Sequence, residues 1–252
     1  MAEPLEGRRV VITGASSGIG SATARSLAAA GAELALWDVD ADGVRALAET
    51  LDRKNQRCLS FVVDVRSDAA VQQAITQTID GLGGLDGAFN NAGIGAPTVP
   101  FEQLEENDFD QTLAANLKGV WLCMRHQLRH MLAQGSGSIV NNASISGLVG
   151  LAGQAAYTAS KHGVVGLTKA ASVEAAEGGV RVNAICPGAV RTRILQHLEA
   201  AGITEEVLAG MSPQARIADP TEIAGAVLWL LSGQSTFVTG AAIPIDGGWT
   251  AR

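Results

Sequence analysis

Arg8-Arg-Val-Val-Ile-Thr13 runs directly into Gly14-Ala-Ser-Ser-Gly18-Ile-Gly20, and that loop runs into Ser21-Ala-Thr-Ala-Arg-Ser-Leu-Ala-Ala-Ala30. The first piece is apolar, β-branched and bounded by polar residues, which predicts a short buried strand. The last is rich in alanine and leucine and predicts a helix. A strand, a glycine-rich turn and a helix N-terminus together form a phosphate cradle. Backbone N–H groups and the helix dipole attract the anion, and glycine lets the main chain approach it. The spacing is Gly-x-x-x-Gly-x-Gly rather than Gly-x-Gly-x-x-Gly, and turns before helices are often glycine-rich, so the loop alone does not name a ligand.

The next predicted strand, Glu33-Leu-Ala-Leu-Trp37, ends at Asp38, eighteen residues past Gly20. A ribose-binding acid is expected roughly twenty residues on. A carboxylate there can accept a hydrogen bond from the adenosine 2′-hydroxyl of NAD and would repel the 2′-phosphate of NADP. Val39 follows Asp38 and Ser17 precedes Gly18, so no basic residue at either place offers that phosphate a partner. The competing reading is that Asp38 caps the following helix, a role open to Asp40 as well.

Tyr157 is the single tyrosine of the chain and stands four residues before Lys161. That spacing puts both side chains on one helix face. Lowering a phenol pKa by about three units takes roughly 4 kcal/mol. One cation at about 4 Å supplies roughly that at an effective dielectric of ~20. The pair is therefore read as a phenol that exchanges protons near neutrality.

With these motifs in order, the chain resembles a short-chain dehydrogenase/reductase over nearly its whole length. Thr13-Gly14-x-x-x-Gly18-Ile19-Gly20 resembles the family's cofactor loop, in which Ser17 also lies. Asp64-Val65, after a strand expected over Leu59–Val63, resembles its adenine-contacting pair. Asn90-Asn91-Ala92-Gly93 resembles the motif after its fourth strand. Asn116, Ser144, Tyr157 and Lys161 match its catalytic tetrad. Pro187-Gly188, with Val190 and Thr192, resembles the turn over the nicotinamide, and Asp246-Gly247-Gly248 the closing motif.

The resemblance implies that Tyr157 is the general acid/base and that Lys161 depresses its pKa and binds the nicotinamide ribose. It implies that Ser144 holds the substrate oxygen and that Asn116 holds a water relaying protons. It also implies NAD as cofactor and a homotetramer, with helices around Asn107–Gln134 and Tyr157–Glu177 packed between subunits. Sequence alone does not separate tetramer from dimer.

Specificity in that family lies between the serine and the tyrosine, and after Pro-Gly. The first stretch holds Ile145, where many relatives carry a second serine, and the pocket candidates Ser146, Leu151 and Gln154. Gln154 either points at substrate or faces water. The second stretch, 190–216, holds Ile194, Leu195, Leu198, Val207, Leu208 and Met211 among charged residues. It is read as an amphipathic lid over the substrate, or as packing on the domain body. No cluster of acids and amides suggests a polyol, so an apolar or cyclic secondary alcohol or ketone is expected. Reduction of a 3-oxoacyl carrier protein, sugar or hydroxysteroid oxidation, and a non-catalytic dinucleotide sensor are the alternatives.

At 252 residues and 47% hydrophobic, the chain suits one α/β domain. The expected fold is a single doubly wound Rossmann-like unit, a parallel sheet of about seven strands with helices on both faces. The net charge of −7 argues against nucleic acid or an anionic membrane as partner. No apolar run reaches the roughly eighteen residues of a membrane span, and the acidic start does not resemble a signal peptide. Cys58, Cys123 and Cys186 are scattered and read as reduced cytoplasmic thiols. His126 and His130 could share a helix face, but with Arg125 and Arg129 beside them and no third ligand no metal site is expected. A solvated or subunit-facing surface is the better reading.

Overall fold

Alternate residues of the first strand enter different cores. Val10 and Ile12 pack into one apolar cluster and Val11 into another, all three buried. Such a strand is covered on both faces. The computed structural model describes residues 4–52, 57–192, 202 and 204–251. Seven strands form one parallel sheet: β1 (Arg9–Thr13), β2 (Glu33–Asp38), β3 (Cys58–Val62), β4 (Gly87–Asn90), β5 (Gly137–Asn142), β6 (Val180–Pro187) and β7 (Ala242–Ile245). Their order is β3-β2-β1-β4-β5-β6-β7. This is the doubly wound α/β architecture expected from the sequence.

One face carries α1 (Gly18–Ala29), α2 (Ala41–Asp52) and α8 (Pro220–Leu231), whose Leu27, Leu47 and Val227 join the cluster of Val10 and Ile12. The other carries α3 (Asp68–Leu82), α5 (Gly119–Gln134) and α6 (Ala155–Ala175), whose Ile75, Met124 and Val164 join Val11. The expected helix around Asn107–Gln134 is divided. It comprises α4 (Glu106–Leu113), a wide π-helical turn over Ala114–Lys118, and α5. Pattern reading does not see such a turn, which adds one residue within a continuous helix.

The chain reverses direction across the sheet between β1 and β4. There the strand ends diverge and leave a crevice at their carboxyl edge. Thr13 Oγ1 ties the two ends, accepting from the N–H groups of Asn91 (3.0 Å) and Ala92 (2.9 Å). Beneath the crevice lies a buried amide network. Asn90 Nδ2 donates to Gln127 Oε1 (3.0 Å) and Asn141 Oδ1 (2.9 Å), and Gln127 Nε2 returns a bond to Asn90 Oδ1 (2.8 Å).

The His126/His130 pair does not form a solvated surface. His126 is 5% exposed and its Nε2 lies 2.8 Å from Asp68 Oδ1, at the start of α3. His130 Nε2 is buried without a hydrogen bond. Among the described residues, no group of three or more His, Cys, Asp or Glu is placed to hold a metal ion. None of the described helices is long and apolar enough to cross a membrane.

Candidate active site

A cleft of about 530 Å³ opens at the crevice, lined by Gly14, Ser17, Gly18, Ile19, Asp38, Asp64, Val65, Asn91 and Gly93 among others. Gly14 and Gly18 have φ of +64° and +53°, a region that side chains other than glycine rarely adopt. Cβ atoms would also collide: one on Gly14 would lie 2.8 Å from Ala92 Cα. Ser17, at the N-terminus of α1, makes no side-chain cap bond, so helix N–H groups are left for a ligand. Gly20 does not line the cleft. A Cβ there would meet Gly14 O at 2.0 Å, so this glycine lets the loop fold onto the helix.

Asp38 is not the helix cap. Asp40 Oδ1 takes that role, accepting from Gly43 N–H (3.0 Å). Asp38 instead faces the cleft and steadies its loop, accepting from the N–H of Ser16 (2.8 Å) and of Asp40 (3.0 Å). No basic residue neighbours Asp38 in the chain, but Arg66 lines the same cleft. Arg66 is held by Asp64 (2.7 Å) and Gln111 (3.0 Å). Its hydrogen bonds keep the Asp64 carboxyl below its usual range.

A second cavity, about 390 Å³, adjoins the first, and Tyr157, Asn142, Thr192, Ile19 and Gly95 line both. Its walls include Ile145, Ser146, Leu151, Gln154, Ala189, Val207, Leu208, Met211 and Trp249, with no charged side chain among the described lining residues. Pro187, Gly188 and Val190 line this cavity and not the cleft. Of the expected lid, the helix α7 (Glu205–Met211) brings Val207, Leu208 and Met211 to the wall. Ile194, Leu195 and Leu198 lie outside the described residues.

Ser144 Oγ accepts from Ser146 N–H (3.1 Å), which leaves its own proton free to donate. Lys161 is buried in α6, and its Nζ donates to Asn142 O (2.8 Å) and lies 5.5 Å from the centre of the Tyr157 ring. Burial pushes the Tyr157 phenol up to about 12, and its hydrogen bond with Ser144 works against the rise. Burial also brings Lys161 down to about 8.

The residues fit a dinucleotide. The cleft combines a positive-φ glycine cradle, an open helix N-terminus and a carboxylate at the far strand end. Asn142 Oδ1, at the junction of the two cavities, is buried with no hydrogen bond, an acceptor suited to an amide or hydroxyl donor on a ligand.

A family model described as enoyl-(acyl carrier protein) reductase matches residues 14–250. The chain belongs to the short-chain dehydrogenase/reductase family. It is 41% identical over 251 residues to cis-4-hydroxycyclohexanecarboxylate dehydrogenase of Sinomonas cyclohexanicum, covering 100% of both chains. It is 40% identical over 250 residues to 2,5-dichloro-2,5-cyclohexadiene-1,4-diol dehydrogenase of Sphingobium indicum, covering 98% of each. The crystal structure of levodione reductase superposes with a TM-score of 0.95 at 39% identity, over 98% of this chain and 99% of that one. Like these family members, the chain is an oxidoreductase that interconverts secondary alcohols and ketones.

Of the four residues expected to form a tetrad, Ser144, Tyr157 and Lys161 line the region where the cavities join. Asn116 does not reach either cavity. It is 0% exposed on the π-helical turn, accepting from Ile94 N–H (2.7 Å) and donating to Ile94 O (2.9 Å). Trp249, Asn142 and Arg66 escaped the sequence reading. Only Trp249 left a signal, a lone aromatic just after Asp246-Gly247-Gly248.

Proposed function

We propose that this chain uses NAD(H) to interconvert a secondary alcohol and a ketone on a mainly apolar six-membered ring. The observation that carries the reading is the position of Tyr157 on the wall of both cavities, one suited to a dinucleotide and the other uncharged. Asp38 supports NAD over NADP, because its carboxylate accepts a ribose hydroxyl and repels a phosphate. Two relatives named for 1,4-substituted six-membered rings support the substrate class.

In reduction Tyr157 gives its proton to the ketone oxygen, while Ser144 donates a second hydrogen bond to the charge developing there. In oxidation the phenolate takes that proton back from the alcohol. Lys161, anchored on Asn142 O, presents its cation to the phenolate and to a ribose hydroxyl. Bound nicotinamide supplies the hydride acceptor or donor. Asn116 acts by fixing the loop at Ile94 through both its amide groups. Val207, Leu208 and Met211 close the apolar wall and exclude water.

The proposal extends to a homotetramer in a reducing compartment. Exposed Phe109, Trp121, Leu132 and Val173 on α4, α5 and α6 support subunit contacts, and the three cysteines are unpaired. A monomer in sedimentation would overturn the assembly.

NADH formation from NAD⁺ across ring, linear and polyhydroxylated alcohols, with NADP⁺ in parallel, tests the reading. Ring alcohols turned over with NAD⁺, and not by Tyr157→Phe, are expected. Turnover confined to NADP⁺, or to linear polyols, would overturn it.

A further inference from the structure

We infer that the Gln154 carboxamide reads a second oxygen on the ring substrate, remote from the reacting carbon. This rests on the cyclic-alcohol reading above. Gln154 stands at the N-terminus of α6 and lines the substrate cavity, three residues before Tyr157. It is the N-cap residue, just outside the helix, and both it and Tyr157 line the cavity. Its main chain is held on both sides: Gln154 N–H donates to Leu151 O (3.2 Å), and Gln154 O accepts from Thr158 N–H (2.8 Å). Its side chain makes no cap bond, and no described residue hydrogen-bonds the carboxamide. The carboxamide is thus a half-buried polar group on an otherwise largely apolar wall, with its donor and acceptor uncommitted to the described residues.

The other polar groups of the cavity lie elsewhere. Ser144 and Tyr157 hold the reacting oxygen, and Ser146 adjoins Ser144 through its main chain. Asn142 and Thr192 stand at the border with the cleft, and the Trp249 indole N–H can donate but not accept. Gln154 is therefore the group positioned for a distal oxygen. A carboxamide donates through Nε2 and accepts through Oε1, so it can read either a carbonyl or a hydroxyl. It suits a ring whose second oxygen occurs at either oxidation level.

The test compares kcat/KM for cyclohexane-1,4-diol against cyclohexanol with NAD⁺, and for cyclohexane-1,4-dione against cyclohexanone with NADH. The wild-type enzyme is expected to favour the dioxygenated ring about tenfold or more in both directions. Gln154→Leu should bring both ratios close to one. Each ratio is internal to one variant, so a partly folded sample does not distort it. Gln154→Glu keeps an acceptor and loses the donor, so it should retain the diol preference and lose the dione preference. That split is one a merely structural role would not produce, and it decides the matter even if Gln154→Leu is inactive. Ratios unmoved by either substitution, or a wild-type enzyme indifferent to the second oxygen while oxidising cyclohexanol, overturn the inference and leave the alcohol reading standing. A wild-type enzyme active only on non-cyclic alcohols overturns both.

Discussion

The cofactor cleft and the substrate cavity share five lining residues, Tyr157 among them, and are built from different material. The cleft is made largely of main chain: two glycines at positive φ, the start of α1 and the ends of β1, β2 and β4. Sheet hydrogen bonds fix the strand ends, and Thr13 Oγ1 and the Asp38 carboxylate hold the loops between them. The cavity is made of side chains from loops, from the seven-residue α7 and from Trp249 near the chain end. The contrast separates shared chemistry from individual specificity. Backbone geometry binds the hydride carrier, and exchangeable side chains select the alcohol.

The largest break in this contrast comes from the residue common to both sites. Tyr157→Phe removes the proton relay and should lower turnover about 10³-fold in both directions, while NADH binding followed by fluorescence stays within a few-fold. Retained turnover would dismiss the phenol as acid/base.

Lys161 gives the next effect. Burial sets its pKa near 8, below its ordinary value, so its charge is present below about pH 8 and lost above. Ketone reduction should therefore decline as pH rises through about 8, well below the value of about 12 to which burial pushes the phenol. Lys161→Met should be about 10²-fold slower and lack that decline. A wild-type profile flat to pH 10 would remove the lysine from the chemistry.

Two substitutions separate the sites. Asp38→Ser acts on the cleft alone and should raise the NADP⁺-to-NAD⁺ ratio of kcat/KM about tenfold or more, by removing a negative charge near the 2′-position. An unchanged ratio would leave Asp38 as a loop tie only. Trp249→Ala acts on the cavity alone and should change the preference between small and large rings about tenfold, measured on cyclohexanol and a fused bicyclic alcohol.

The smallest effect on turnover belongs to neither site. Gln127→Leu leaves the buried Asn90 Oδ1 without its donor and should cost about 1–3 kcal/mol in urea unfolding while leaving specificity as it was. A shift in substrate preference would show that the network beneath the crevice tunes the site.

Much of the cleft was legible in the chain because its signals are local. A β-branched run, a glycine turn and an alanine-rich helix each declare themselves within a few residues. The fold followed from their alternation, with strand and helix ends placed within a few residues. The misreadings concern long-range contacts. His126 reads as solvated until α3 brings Asp68 to within 2.8 Å. The bonds of Asn116 to the Ile94 main chain, twenty-two residues away, have no local signal either. Arg66 lies twenty-eight residues past Asp38 in the chain, and only the fold brings both to one cleft.

The sequence by itself determined the doubly wound α/β class, the glycine-rich loop between β1 and α1, the acid at the end of β2 and the Tyr157–Lys161 pair. Each depends on hydrogen bonding and spacing within one or two elements. Only the tertiary structure decided the burial of Lys161, the wide turn that carries Asn116 and the uncharged cavity that Gln154 and Trp249 line. Desolvation and cavity shape are set by every element packed around a point, and no short stretch of chain records that sum.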